Sequence, residues 1–373
     1  KKLYNKFMTK SFVHLHAHTE YSMLDGAAKI VDYLKKVKEL NQPAAAITDH
    51  GNLYGAMEFV QKANDYGIKP IIGYEAYITP GSRFDRPDRE NNKRYHLTLL
   101  AENNIGYQNL VELVSKAYTE GYYYKPRIDY ELLDQHHDGL IALSGCLGGE
   151  LAQHLAPDGS VEEGNTSNER SFEKALDIAK KYQSIFGKEN YFIEIHNHGI
   201  KQQLDILDDL VEIAQLIDAP LVAANDSHYV EENGAEAHDA LLCVQTNRTL
   251  DDESRFRFDG SGYYVKSSEE MRKLFPEDKY PGACDNTLAI ADRVKYEFNF
   301  DNSYLPDFPI EDKNVSPEEL LKIKVYEGGE RKYGTLTSEI IERIDYELDV
   351  INSMGFASYF LIVGDLIEFS KKR

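Results

Sequence analysis

Three cysteines in 373 residues, Cys146, Cys243 and Cys284, are too few and too scattered for a disulfide framework. They read as reduced thiols of a cytoplasmic protein. No apolar run reaches the roughly 18 residues of a membrane-spanning helix, and no charged-then-apolar leader opens the chain, so no membrane association is expected. Positive charge is also scarce, with 42 Lys and Arg against 63 Asp and Glu and a net charge of −21. Gripping duplex DNA through its phosphates needs clustered Lys and Arg, and this balance argues against such a surface. It is compatible with a site that handles phosphate through metal cations, which bring their own positive field. Tryptophan is absent beside 26 Tyr and 16 Phe; that absence excludes no class of function. A hydrophobic content of 42% with 28% charged residues is that of a soluble globular protein. The length allows one large or two medium domains.

What is abundant near the start is histidine. Phe12 to His18 alternates apolar and polar residues, the period of a strand with one buried face. In an extended chain His14, His16 and His18 share one side, with i, i+2 neighbours roughly 6–7 Å apart, close enough for two imidazoles to grip one ion. Alone, such a stretch is equally well a strand that happens to be rich in histidine. The basic start Lys1–Lys6 is either a tail or the edge of the stretch.

Further on, helical and extended patterns alternate. Helices are expected over 27–40, 54–66, 104–118, 172–186 and 201–217, and strands over 44–48, 69–77, 95–100, 140–144, 191–195 and 220–224. The rhythm reads as parallel strands under helices, about seven strands over roughly 230 residues. The expected fold is α/β, a distorted seven-stranded barrel of the TIM type, with a doubly wound open sheet as the alternative. Residues 80–93 and 157–171 read as polar loops, the first mobile and the second an exposed insertion. Helices near 236–244, 267–274 and 281–294 would complete the barrel domain at 1–285. A linker is expected over 286–315 around the Pro- and Asp-rich Asn299–Lys313, then a helical segment over 316–373. In that segment Leu320, Leu321, Ile323 and Val325, then Ile340, Ile341, Ile344 and Leu348, form apolar stripes in need of a partner.

Nine metal-ligand types fall at or just after the expected strand ends: His16, His18, Asp25, His50, Glu75, His96, Cys146, Asp226 and His228. Such nitrogen, carboxylate and thiolate donors suit zinc, manganese or iron. Nine are too many for one ion, so two or three divalent metal ions are expected, with a carboxylate such as Glu75 bridging. Closely spaced cations activate water and hold phosphate oxygens, the usual device for phosphoester cleavage. Taken singly, Asp49-His50-Gly51 could be a turn, Cys146 a small buried hydrophobe and His96 a satisfied core histidine. Glu75, in an apolar strand, resists a bland reading because a buried unpaired carboxylate is costly. His196-Asn197-His198 is a second histidine pair at a strand end that could line the site or touch substrate. His136 and His137 fall in a turn, while His154 and His238 read as surface residues or as supports behind the site.

These motifs resemble a known family. His16-Ala17-His18-Thr19-Glu20-Tyr21-Ser22-Met23-Leu24-Asp25-Gly26, Thr48-Asp49-His50-Gly51-Asn52 and Ile72-Gly73-Tyr74-Glu75-Ala76-Tyr77 resemble the polymerase and histidinol phosphatase (PHP) family. More closely, they resemble the PHP domains that open bacterial replicative polymerases of the polymerase III alpha type. Asn225-Asp226-Ser227-His228-Tyr229, Leu241–Thr246 and Met354–Val363 extend the likeness to the end of the chain. The resemblance implies a trinuclear centre: His16, His18 and Asp226 on one ion, Glu75 bridging to a second with His96 and Cys146, and Asp25, His50 and His228 on the third. It implies a metal-dependent 3′–5′ proofreading exonuclease with Asp25, Glu75 and Asp226 as catalytic carboxylates. The partners implied are the 3′ end of a DNA primer and replisome subunits such as the sliding clamp and clamp loader. A site that only stabilises the fold, or a histidinol phosphatase, are the alternatives. The polymerase palm would follow residue 373, so this stretch alone should not synthesise DNA.

Overall fold

The computed structural model describes residues 11–23, 25–88, 91–157, 169–296, 298, 300 and 306–373. The basic start at 1–6, Leu24, most of the insertion at 157–171 and part of 299–313 lie outside them. The chain divides into two units, 1–297 and 298–373.

Among the described residues the first unit is built on seven strands: β1 (Ala44–Ile47), β2 (Lys69–Ile78), β3 (Tyr95–Ala101), β4 (Arg127–Ile128), β5 (Leu140–Leu143), β6 (Tyr191–Ile195) and β7 (Leu221–Ala223). The sheet order is β1-β2-β3-β5-β6-β7, with β4 paired to the last two residues of β2. Nearly every strand residue is buried, which is why these segments read as continuous apolar runs between covering layers. Ala44 and Ala46 face a cluster holding Val13, Leu15, Ile71, Leu143, Phe192 and Val222, while Ala45 and Ile47 face helices Ile30–Glu39 and Ala56–Tyr66. Helices Phe172–Phe186 and Lys201–Ile217 fall where the periodicity places them. The first opens on Ser171, whose Oγ accepts a hydrogen bond from the Lys174 N–H.

Three expectations change. First, the sheet is mixed rather than parallel, because β3 runs antiparallel to both β2 and β5. The described residues of the connection from β2 to β3 hold no crossover helix, which antiparallel neighbours do not need. Second, residues 12–18 are extended but form no regular strand, because their bonds are divided between two neighbours. His14 O and Ala17 O accept from Ala46 N and Thr48 N, while His18 N and Ser227 N donate to Ser227 O and His16 O. This segment thereby bridges β1 and the residues after β7, the two ends of the sheet order, and closes the barrel. Third, the described residues of loop 80–93 are held down. Arg83 is buried between Asp129 and Glu120, and the fully buried Arg127 donates to Gly121 O, Arg83 O, Asp85 O and Asn92 Oδ1.

Helix Asp285–Arg293, which the expected linker included, packs Leu288, Ile290 and Ala291 into the core of the first unit. The second unit has helices Pro317–Tyr333, Ser338–Ser353 and Ala357–Lys372 around Leu321, Leu348, Ala357 and Leu361. Among the described residues no single helix is long and apolar enough to cross a membrane.

Candidate metal centre

The antiparallel course of β3 decides the site's composition. His50 follows β1, Cys146 follows β5, and Asp226 and His228 follow β7, all at C-terminal ends. His96 is the second residue of β3, not a residue past its end. Because β3 is reversed, His96 pairs with Tyr77 near the C-terminal end of β2 and reaches the same end of the barrel.

All nine expected residues come together there, and Glu75 is the hub. Its Oε1 lies 3.3 Å from His16 Nε2, 3.0 Å from His96 Nδ1 and 3.6 Å from Cys146 Sγ. Its Oε2 lies 2.6 Å from His50 Nδ1 and 3.7 Å from His18 Nε2. Asp226 Oδ1 lies 3.1 Å from His18 Nε2 and 3.4 Å from His16 Nε2. Asp25 reaches His50 Nε2 at 3.1 Å. The His228 ring stacks on His18 at 4.3 Å and its Nδ1 bonds Asp226 O at 2.9 Å. Asp226 has a left-handed φ of 44°, a conformation costly outside glycine that Asp tolerates better than most and that is typically stored at functional positions.

Supports behind these residues aim them inward. His16 Nδ1 bonds Glu194 Oε1 at 2.7 Å, and His18 Nδ1 bonds Ser22 Oγ at 2.8 Å. Ser22 and Thr19 in turn donate to Asp49. With Nδ1 engaged, Nε2 of each imidazole faces the cluster, the arrangement that orients metal-bound histidines. His238, buried on helix Ala235–Thr246, bonds the Asp25 carbonyl at 2.7 Å. Gly145 turns the chain after β5 with φ 90°; a Cβ there would lie 2.7 Å from His96 O.

Burial opposes every charge here, and the partners prevail at most positions. Against burial, His50, then His228 and His18, hold the Asp25 carboxyl at about 2. His96, His50 and His16 hold Glu75 well below the ordinary carboxylate range, and His16 and His228 do the same for Asp226. His50, beside Asp25 and Glu75, is raised to about 10 despite burial. His228 goes the other way: burial, with His18 adding to it, lowers it to about 3, leaving a neutral ring. Burial and the nearby Glu75 and Asp226 push the Cys146 thiol up.

Two residues differ from the simple strand picture. His14, on the same side as His16, lies outside the cluster; its Nε2 bonds Lys266 O at 2.9 Å, and burial lowers it to about 4. Of the second pair, His196 reaches Glu194 Oε1 at 2.9 Å, whereas His198 bonds Asn225 O and stacks on Tyr263. The residue that sequence reasoning missed is Glu194. Its carboxylate also accepts from Gly145 N and Thr98 Oγ1, and against burial His16 and His196 hold it at about 2. The signal was there, since Tyr-Phe-Ile-Glu-Ile has the same lone carboxylate in an apolar strand that singled out Glu75.

The donor set is right for divalent cations. Nε2 of His228 is buried without a hydrogen-bond partner among the described residues, and Nε2 of His16 and of His18 face the Glu75 and Asp226 carboxylates. Residues such as these are costly to leave unpaired, and four overlapping groups of them bring ligand atoms within 4.8 Å of one another.

A mixed barrel with histidines and carboxylates converging at one end defines a class, and sequence comparison gives the same one. Residues 14–198 match the PHP domain model, so that region of the chain is a PHP domain. Residues 319–373 match the bacterial DNA polymerase III alpha NTPase domain model. Over longer spans the chain is similar to DNA polymerase III alpha subunits. It is 44% identical to that of Treponema pallidum (strain Nichols) over 97% of this chain and 30% of that protein. The Mycobacterium tuberculosis (strain CDC 1551 / Oshkosh) subunit is 44% identical over 97% of this chain and 31% of that protein. The Thermus aquaticus subunit is 40% identical over 96% and 33%. The chain thus spans about a third of the length of the curated relatives it matches. An amidohydrolase structure from Chromobacterium violaceum aligns over 59% of this chain and 88% of that one at 16% identity, with a TM-score of 0.30, too weak to bear on function.

Proposed function

We propose that the cluster binds two or three divalent cations and hydrolyses phosphodiester bonds, removing nucleotides from the 3′ end of DNA as part of a longer replicative polymerase. The observation that carries the reading is the division of Glu75: one oxygen faces His16, His96 and Cys146, the other His50 and His18. A carboxylate split in this way suits a bridge between ions. His16, His18 and Asp226 would hold one, His96 and Cys146 a second, and Asp25, His50 and His228 a third. Zinc, manganese and iron suit this mixture of nitrogen, oxygen and sulfur donors. Bound cations would supply water activation and neutralise phosphate charge in a chain that carries little positive charge of its own. Asp25, Glu75 and Asp226 are ionised at neutral pH and hold the histidines in place. Asp25 Oδ1, buried without a hydrogen-bond partner among the described residues, is available to orient an attacking water.

The test is nucleotide release from a 3′-labelled primer in Mn²⁺ or Zn²⁺, expected to vanish on chelation and in His16→Ala. Release that survives both belongs to a contaminant and removes the assignment. A second reading, a cation site that only stabilises the fold, is favoured by the density of His–carboxylate contacts. It predicts that Asp25→Asn lowers the melting temperature while no metal supports turnover.

A further inference from the structure

The scarce positive charge and the exposed tyrosines meet in one loop, Gly121-Tyr122-Tyr123-Tyr124-Lys125-Pro126, between helix Asn104–Thr119 and β4. Tyr122 is 54% exposed and Tyr124 63%. Tyr122 stacks on Tyr118 of the preceding helix, with ring centres 6.0 Å apart and 24° between planes. Tyr124 has φ 63°, an uncommon conformation for a residue of this bulk and one that the surroundings must impose. Between them Tyr123 is anchored. Its hydroxyl donates to Pro87 O at 2.8 Å, and its ring lies 5.6 Å from the Arg86 and 5.2 Å from the Arg127 guanidinium carbon. The result is a braced base carrying two exposed aromatic faces.

The loop also touches the cluster's rim. Lys125 Nζ lies 3.2 Å from the Tyr77 hydroxyl and 5.0 Å over its ring. The Tyr77 ring stands edge-on to His96 at 5.2 Å and nearly parallel to His50 at 6.1 Å. Gly51, next to His50, makes this approach possible: a Cβ there would be 2.8 Å from Pro126 Cγ and 3.1 Å from Tyr77.

We propose that this loop is a stacking platform for the last bases of a single DNA strand whose 3′ end enters the cluster, a proposal that rests on the phosphoesterase reading above. Aromatic faces accept any base, and Lys125 places a cation for the backbone between the platform and the centre. A net charge of −21 disfavours a duplex, which is held mainly through its phosphates, more than a strand held by stacking.

The 373-residue chain is titrated with fluorescein-labelled dT12 carrying a non-hydrolysable 3′ phosphorothioate linkage. Tyr122→Ala/Tyr124→Ala should weaken binding by about tenfold or more, and Tyr122→Phe/Tyr124→Phe should restore it. A 2-aminopurine beside the 3′ end should be quenched by the wild type and the Phe pair but not by the Ala pair. An Ala pair that binds and quenches as the wild type does, or tighter binding of a blunt duplex, overturns the platform. Hydrolysis of bis(p-nitrophenyl) phosphate by the wild type reports on the centre separately. Tyrosine-dependent binding without any diester hydrolysis would remove the phosphoesterase reading and keep the platform as a binding site. Hydrolysis with an undiminished Ala pair would do the reverse.

Discussion

The two units bury their apolar residues very differently. In the first, Leu15, Ile71, Leu100 and Leu143 are fully buried; helices cover one side of the sheet, and strand side chains with helix Asp285–Arg293 fill the other. In the second, a small cluster of Leu321, Leu348, Ala357 and Leu361 leaves Ile323, Val350, Phe360, Leu366, Ile367 and Phe369 between 38% and 60% exposed. The expected stripes do partly meet, since Leu320, Val325 and Ile344 pack beside that cluster. The barrel buries its apolar residues and its ionic cluster together. The helical unit leans more on local devices, such as the reciprocal Ser316–Glu319 cap and the Thr337 N-cap. A protein can thus hold one region that closes on itself and another whose helices keep much of their apolar faces exposed.

Four measurements sharpen or break that contrast. The largest effect is expected at the hub. Glu75→Ala strips the carboxylate from five partners, and breaking a buried charge pair costs about 3–5 kcal/mol. Calorimetry should show the barrel transition falling while the helical one stays; joint movement would mean the units do not unfold separately. Next, Leu100→Ala should cost about 3 kcal/mol through its cavity, whereas Leu366→Ala, at a site 60% exposed, should stay within about 0.5 kcal/mol. Equal losses in denaturant titrations would refute the difference in burial. A smaller effect is expected of Thr337→Ala, about 1 kcal/mol from a lost N-cap, visible as reduced helicity of the second unit alone. The subtlest concerns Glu194 in the metal-free chain. Its carboxyl is held at about 2 against an ordinary 4.5, so its stabilisation is present above pH 4.5 and lost as pH falls toward 2. The melting-temperature gap between wild type and Glu194→Gln should therefore narrow steadily below pH 4.5. A constant gap would show that the carboxylate is not held ionised.

Much of the candidate site was legible because its residues sit in local patterns that survive folding. His16 and His18 alternate in an extended segment, His50 follows a short apolar strand, and Glu75 stands alone in one. Glu194 shows the same pattern as Glu75 but was overshadowed by the neighbouring His196 and His198. Asp49 was noticed only as part of a turn, because its work is to accept hydrogen bonds from Thr19 and Ser22, some thirty positions earlier.

By itself the sequence determined most of the longer helices and strands, down to the bounds of Phe172–Phe186 and Lys201–Ile217, because burial periodicity and caps are local; the short strand Arg127–Ile128 and helix Tyr130–Gln135 carried no such signal. It could not determine the direction of β3, since an inward–outward alternation is the same for a strand read either way. That direction carries His96 to the ligand end of the barrel. Nor could it show that residues 12–18 would divide their hydrogen bonds between the two ends of the sheet. Those choices belong to the closed barrel, where each backbone group must find whichever partner the curvature brings near.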